Sequence, residues 1–186
     1  MTPPVFASFE AAYREHFVFA WRALRRLGVP DRDLGDATQD VFVVVYRKID
    51  QFDFERAMTT WIYAICLRVA SNRRRSATAR HELLADSDEA SDARDVASAP
   101  DAEPQALAER RALLRAALDA MSLEQRAVFT LFELEGHTGE EVAAILGVPA
   151  PTVRSRLRLA REVFRQRLER HRAQEHFELR RTGGER

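Results

Sequence analysis

The sequence has little cysteine, glycine or proline, and each shortage excludes a class of structure. Cys66 is the only cysteine among 186 residues, which excludes an intrachain disulfide and fits a reducing compartment. Seven glycines and seven prolines are too few for an all-β fold with many tight turns. No apolar run approaches the ~20 residues that a membrane span needs, and no basic stretch followed by an apolar one opens the chain. We therefore expect a cytoplasmic protein without a signal peptide.

Motifs for catalysis and cofactor binding are also missing. None of the five histidines has a cysteine at metal-ligand spacing, HExxH does not occur, and there is no glycine-rich phosphate loop. Cys66 sits among apolar residues of a predicted helix, which favours a buried thiol over a nucleophile. We expect neither enzymatic activity nor a metal or other cofactor.

The 29 basic and 29 acidic residues cancel in total but are separated along the chain. Residues 81–104 contain eight acids against Arg94 alone, whereas residues 152–186 contain eleven arginines against five glutamates. A basic run, Arg73-Arg74-Arg75, precedes the acidic stretch. Such separation indicates an anionic partner held at particular faces, although solvated helix faces would give the same pattern.

Apolar residues recur at steps of three and four along most of the chain, which predicts an all-α fold. The predicted helices span residues 6–27, 33–49, 57–75, 106–120, 122–135, 138–146 and 151–172. Residues 77–105 lack this periodicity and are rich in Ala, Ser, Asp and Pro. We therefore predict two small helical domains, residues 1–76 and 106–172, joined by a flexible acidic linker and followed by a frayed tail at 173–186.

Residues 138–162 have the pattern of a helix-turn-helix. Thr138 and Glu141 have the spacing of a capping box, Gly147 ends a short helix, and Pro151 lies where a longer helix opens. In such units the second helix lies in the major groove of DNA. The residues expected to face the DNA are Thr152, Arg154, Ser155 and Arg158. An αα-hairpin with an incidentally basic face is the alternative.

Three stretches resemble those of the extracytoplasmic-function (ECF) sigma factors, the small two-domain specificity subunits of bacterial RNA polymerase. In the family's order they are DLGDATQDVFVVVYRKIDQFD (33–53), TTWIYAICLRVASNRRRS (59–76) and ALDAMSLEQRAVFTLFELEGHTGEEVAAILGVPAPTVRSRLRLARE (117–162). The resemblance implies a factor that directs core RNA polymerase to specific promoters and assists their opening. It also implies control by an anti-sigma factor.

The resemblance further implies roles for individual residues. Contact with core polymerase falls to Asp36, Gln39, Asp40 and Phe42. Recognition of the promoter −10 element falls to Phe52, Asp53, Phe54 and Arg56, in a loop that captures a flipped-out base, and to Arg68, Asn72 and Arg75 on the next helix. Recognition of the −35 element falls to Thr152, Arg154, Ser155 and Arg158.

Two other functions are compatible with a helical chain of this composition. The first is a stand-alone helix-turn-helix regulator that binds duplex DNA without polymerase; the stretch 33–53, similar to a polymerase-docking helix, counts against it. The second is a helical adaptor that binds proteins but not DNA; promoter output left unchanged by Arg154→Ala with Arg158→Ala would favour it.

Overall fold

A computed structural model describes residues 5–52, 57–84 and 105–183, and every regular element in these ranges is helical. The main helices are α1 (Val5–Arg26), α2 (Leu34–Lys48), α3 (Met58–Leu84), α4 (Gln105–Asp119), α5 (Leu123–Phe129), α6 (Gly139–Leu146) and α7 (Ala150–Gly183). The described residues form two compact units, the first with α1–α3 and the second with α4–α7. The predicted all-α fold is confirmed.

The N-terminal unit is a three-helix bundle in which each helix contacts the other two. The VFVVVY run at the centre of α2 has the composition of a strand but is helical. Its burial has helical spacing, since Val41 and Val45 are fully buried while Val43 is 47% exposed. Apolar burial on one face therefore decides the conformation of this run over its β propensity.

α3 is longer than the sequence pattern predicted. It continues past Arg75 to Leu84, into the stretch that was expected to be linker. Residues 76–84 (SATARHELL) contain no glycine or proline, and Ala, Arg, Glu and Leu are strong helix formers. The rest of the predicted linker, residues 85–104, lies outside the described residues.

The C-terminal unit is built around α7, which packs against α4, α5 and α6. Leu118, Met121, Phe129 and Ala160 form one core cluster. The capping box predicted at Thr138 with Glu141 is present, and a second one joins Ser122 to Gln125 at the start of α5.

The helix predicted over residues 122–135 changes its hydrogen-bonding pattern midway. α5 is α-helical only to Phe129, and Thr130–Leu134 form a π-helical turn. The Glu135 N–H donates to the Thr130 carbonyl five residues back at 3.0 Å. α7 is also longer than predicted, because it continues past Arg172 to Gly183. Among the described helices, none is both long and apolar enough to cross a membrane.

Candidate nucleic-acid interface

The turn between α6 and α7 fixes where α7 begins. The Thr138 hydroxyl accepts the Glu141 N–H at 3.3 Å, and the Glu141 carboxylate accepts the Thr138 N–H at 2.7 Å. α6 ends at Gly147, whose φ of 64° and ψ of 37° lie in the left-handed region and whose N–H bonds to the Ala143 carbonyl. α7 starts at Ala150 after a three-residue turn. The predicted helix-turn-helix is confirmed.

The Thr138 cap also stabilises the negative charge of Glu141 at the start of α6. Hydrogen bonds from the Thr138 backbone and side chain lower the pKa of Glu141 below its usual value of 4.5. These hydrogen bonds favour the charged form of Glu141, and its negative charge lies at the positive end of the helix dipole.

One face of α7 is buried in the C-terminal unit, and the opposite face is exposed to solvent. Val153, Leu157 and Ala160 are buried. The four residues predicted to read the −35 element lie on the opposite side of the first three turns: Thr152, half-buried, and the exposed Arg154, Ser155 and Arg158. The Ser155 hydroxyl donates to the Thr152 carbonyl at 3.0 Å, so its oxygen remains able only to accept a further hydrogen bond.

The arginines further along α7 are engaged by acidic side chains. Arg161 Nε lies 2.6 Å from Glu133 Oε1, and its guanidinium lies 5.4 Å from the centre of the Phe132 ring. Arg165 Nη2 lies 2.6 Å from Glu162 Oε2. The hydrogen bond between this pair lowers the pKa of Glu162 and raises that of Arg165. Arg161 therefore joins α7 to the π-helical turn, whereas Arg165 pairs within α7 itself.

Arg154 and Arg158 differ from this pair. Neither forms an ion pair with any other residue in the described part of the chain. A shallow groove of about 410 Å³ runs beside them, lined by Arg154, Leu157, Arg158, Arg161, Glu162 and Arg165. Arg158 also acts through space on Glu162, whose pKa it helps to lower. The start of α7 thus carries exposed arginines outside any described ion pair, next to a helix N-terminus that itself favours anions.

In the N-terminal unit, three residues predicted to read the −10 element form one stripe on α3. Arg68, Asn72 and Arg75 are exposed and recur at steps of four and three. Arg75 Nη2 donates to Asn72 Oδ1 at 2.6 Å, which holds these two side chains together. The stripe presents cationic and amide groups that suit a nucleic-acid strand.

The loop before α3 is anchored by aromatic stacking. The ring of Phe52 lies 4.7 Å from that of Trp61, with 28° between their planes. Phe52 is therefore partly committed to packing within the unit. The other three predicted loop residues, Asp53, Phe54 and Arg56, lie outside the described residues.

The residues predicted to contact polymerase separate into surface and core. Asp36, Gln39 and Asp40 are exposed on α2. Phe42 is only 3% exposed and packs edge-on against Tyr13, with ring centres 4.7 Å apart. This burial revises the expectation for Phe42, because its side chain holds α2 against α1 and offers almost no surface to a partner.

Sequence patterns missed the pairing of charges between helices. Arg73 Nη2 lies 2.6 Å from Asp40 Oδ2, although the two residues are 33 positions apart. Arg161 and Glu133 are 28 positions apart. Periodicity detects pairs three or four residues apart on one helix, and nothing local signals pairs that only tertiary packing creates.

Comparison with known families places these features in a single context. The model described as Sigma-70 region 2 matches residues 12–80, and the model described as Sigma-70, region 4 matches residues 111–163. The first match includes α2 with its exposed residues and α3 as far as residue 80, with its stripe. The second covers the helix-turn-helix.

Characterised relatives span most of the chain. The ECF RNA polymerase sigma-E factor of Escherichia coli (strain K12) is 34% identical over 143 residues, which are 73% of this chain and 74% of that protein. The RNA polymerase sigma factor NccH of Alcaligenes xylosoxydans xylosoxydans is 31% identical over 142 residues, 75% of each chain.

Solved structures share the fold at lower identity. CnrH, solved in complex with the cytosolic domain of CnrY, gives a TM-score of 0.60 at 24% identity over 87% of both chains. The sigma factor RpoE of Bartonella quintana, solved with the anti-sigma factor NepR, gives 0.63 at 22% identity over 87% of this chain and 96% of that one. The two region models, the relatives above 30% identity and the confirmed helix-turn-helix agree: the chain belongs to the ECF sigma factors of bacterial RNA polymerase.

Proposed function

We propose that the two units of this ECF sigma factor grip the two elements of one promoter while core RNA polymerase holds them. The C-terminal domain, residues 106–172, would bind the −35 element, and the N-terminal domain, residues 1–76, would bind polymerase and the −10 element. The acidic stretch within residues 77–105 would connect them. The observation that carries the proposal is that Arg154 and Arg158 are exposed on the solvent side of α7 and belong to no ion pair in the described part of the chain.

At the −35 element, the start of α7 would enter the major groove. Arginine can bind guanine O6 and N7 with two parallel hydrogen bonds or pair with a phosphate. Arg154 and Arg158 are four residues apart and exposed, so both would face the same groove. Thr152 and Ser155 lie on the same side. The Thr152 hydroxyl would donate to a base or a phosphate, and the Ser155 oxygen would accept a hydrogen bond from a base.

At the −10 element, the stripe on α3 would bind a separated strand. Arg68 and Arg75 would neutralise phosphates, and Asn72, fixed by Arg75 at 2.6 Å, would hydrogen-bond to a base. Phe52, Asp53, Phe54 and Arg56 would enclose an extruded base. Extrusion costs a few kcal/mol, so contacts in this loop would have to offset that cost.

Docking on polymerase would use the exposed polar face of α2. Asp36, Gln39 and Asp40 present carboxylate and amide groups that suit a basic helix of the polymerase clamp. Phe42 would act from inside the bundle by keeping this face in position.

The remaining partners follow from the family. RNA synthesis would be carried out by the polymerase, so this chain would have no catalytic role and would act in the cytoplasm. An anti-sigma factor would cover its DNA-binding surfaces in the absence of a signal. The Bartonella quintana RpoE structure, with its anti-sigma factor NepR, supports this part of the proposal.

Transcription in vitro tests the assignment. The purified chain and bacterial core polymerase are incubated with a genomic library, and the transcript start sites are mapped. We expect start sites that share a pair of upstream elements and are missing with core alone. Tight duplex binding by the chain without polymerase, together with no specific initiation, would instead indicate a stand-alone regulator.

Matched variants then test the residues of α7. Arg154→Ala with Arg158→Ala should weaken promoter binding by the holoenzyme about tenfold or more, because each lost arginine contact typically costs ~1–3 kcal/mol. The control removes the same two charges from the same helix in Arg161→Ala with Arg165→Ala, whose side chains are paired with Glu133 and Glu162. Equal losses from both variants would refute a specific role for Arg154 and Arg158.

A further inference from the structure

One ion pair joins two surfaces that the proposed function assigns to different partners. Asp40 lies on the polymerase-docking face of α2, and Arg73 lies at the nucleic-acid end of α3, between Asn72 and Arg75 on the chain. Arg73 Nη2 donates to Asp40 Oδ2 at 2.6 Å. The Arg73 side chain is 31% exposed and that of Asp40 57% exposed, so solvent and partners can reach both.

The geometry of the Asp40–Arg73 ion pair allows it to separate easily. Asp40 engages only the Nη2 end of the guanidinium, while Arg73 Nε is buried without an acceptor among the described residues. A single contact lacks the two parallel bonds that make arginine–carboxylate pairs strong. Because both groups are partly solvated, breaking the contact costs little.

We propose that this pair is a latch: Asp40 neutralises Arg73 in the free chain, and docking of Asp40 on polymerase releases Arg73 to bind a phosphate of the promoter strand. The inference rests on the proposed function, since it requires that α2 docks on polymerase and α3 contacts DNA. It adds Arg73 to the nucleic-acid site and gives Asp40 a second role. It also explains how binding of one partner can favour binding of the other.

The coupling must act in both directions. If polymerase increases the affinity of Arg73 for a DNA strand, then removing Arg73 must increase the affinity of Asp40 for polymerase by a similar factor. Because an exposed ion pair contributes little free energy, the expected change in affinity is about two- to fivefold. A residue that served only to bind DNA would leave polymerase affinity unchanged.

The first experiment measures the free chain without polymerase. Binding to fluorescein-labelled oligo(dT) is followed by anisotropy at low salt, because contacts to phosphate do not depend on sequence. Asp40→Asn should bind about two- to fivefold more tightly than Asp36→Asn, which makes the same charge change one turn earlier on α2. Among the described ion pairs, none involves Asp36.

The advantage of Asp40→Asn must depend on Arg73. It should disappear when Arg73→Gln is added to both Asp40→Asn and Asp36→Asn, and thermal unfolding of each variant checks that the bundle is intact. Equal affinity for Asp40→Asn and Asp36→Asn, an advantage that survives Arg73→Gln, or no measurable binding by Asp40→Asn would each overturn the latch.

The second experiment titrates full-length chains with core polymerase. Arg73→Gln should bind core about two- to fivefold more tightly than the unchanged chain, and no gain would contradict the latch. A failure of the proposed function looks different, because the unchanged chain itself would then not bind core or initiate transcription.

Discussion

Replacing Gly147 by alanine should destabilise the C-terminal unit through its backbone alone. Gly147 has φ of 64° and ψ of 37°, and a Cβ added there would meet nothing within 4 Å. The left-handed conformation costs an L-residue ~1–2 kcal/mol. Alanine also restricts the unfolded chain, which offsets ~0.4–1 kcal/mol of that cost. The net loss in the free energy of unfolding should be about 1 kcal/mol.

Gly139 supplies a matched control on the same helix. It lies at the first position of α6, and a Cβ added there would also meet nothing within 4 Å. Its φ is not positive, unlike those of Gly28, Gly136 and Gly147. Gly139→Ala should therefore keep only the effect on the unfolded chain and raise stability by up to ~1 kcal/mol. Gly147→Asn should lose less than Gly147→Ala, because asparagine tolerates the left-handed region better.

Urea unfolding of the full-length chain can separate the two units. Both tryptophans, Trp21 and Trp61, lie in the N-terminal unit, so tryptophan fluorescence follows that unit. Far-UV circular dichroism follows the helices of both units. Gly147→Ala should shift the dichroism transition of the C-terminal unit to lower urea and leave the fluorescence transition in place. Shifts of the same sign and size in Gly147→Ala and Gly139→Ala would refute the argument from backbone conformation.

Two further predictions concern titrating groups. The Thr138 hydrogen bonds lower the pKa of Glu141, so their stabilising contribution is complete above the usual value of 4.5 and is lost as pH falls through the lower folded value. Glu141→Gln can still accept the capping bond, so in an acid titration this variant should lose less C-terminal stability than the unchanged chain. Identical stability profiles for the two proteins would contradict this. Burial raises the pKa of Cys66 to about 12. The folded chain should therefore react with a thiol reagent at neutral pH far more slowly than the urea-unfolded chain. Equal reaction rates would show that the thiol is accessible in the folded chain.

The parts of the fold that follow from local interactions were predictable. Thr138 and Glu141 are three residues apart, and the hydrogen bonds that join them form within one helical turn. The same holds for the turn at Gly147, because the left-handed conformation at a helix end strongly favours glycine. The helical state of the strand-like centre of α2 was also predictable, since an acidic residue in its first turn and basic residues in its last turn suit the helix dipole.

Features set by tertiary packing were not predictable from patterns. The π-helical turn at Thr130–Leu134 follows an unbroken helical sequence, and its Thr130 and Leu131 are almost fully buried. The extensions of α3 and α7 were underestimated because polar, charged residues were interpreted as unstructured, although most of them are good helix formers. Phe42 belongs to the sequence motif that implies docking, yet it is next to the buried Val41, and one apolar stripe contains both.

The candidate site shows why net charge is a poor guide to a polyanion partner. The charges of the 29 basic and 29 acidic residues sum to zero, yet the carboxylates pair with some arginines of α7 and not with others. Glu133 and Glu162 each lie 2.6 Å from an arginine of α7, namely Arg161 and Arg165. Arg158 and Arg154, one and two turns before Arg161, belong to no ion pair in the described chain. Because an interaction with DNA depends on the charges left unpaired at the contact surface and falls off over a Debye length of ~10 Å, these local differences outweigh the sum. A neutral sigma factor can therefore carry a strongly cationic recognition helix, and its acidic residues decide which arginines remain available to DNA.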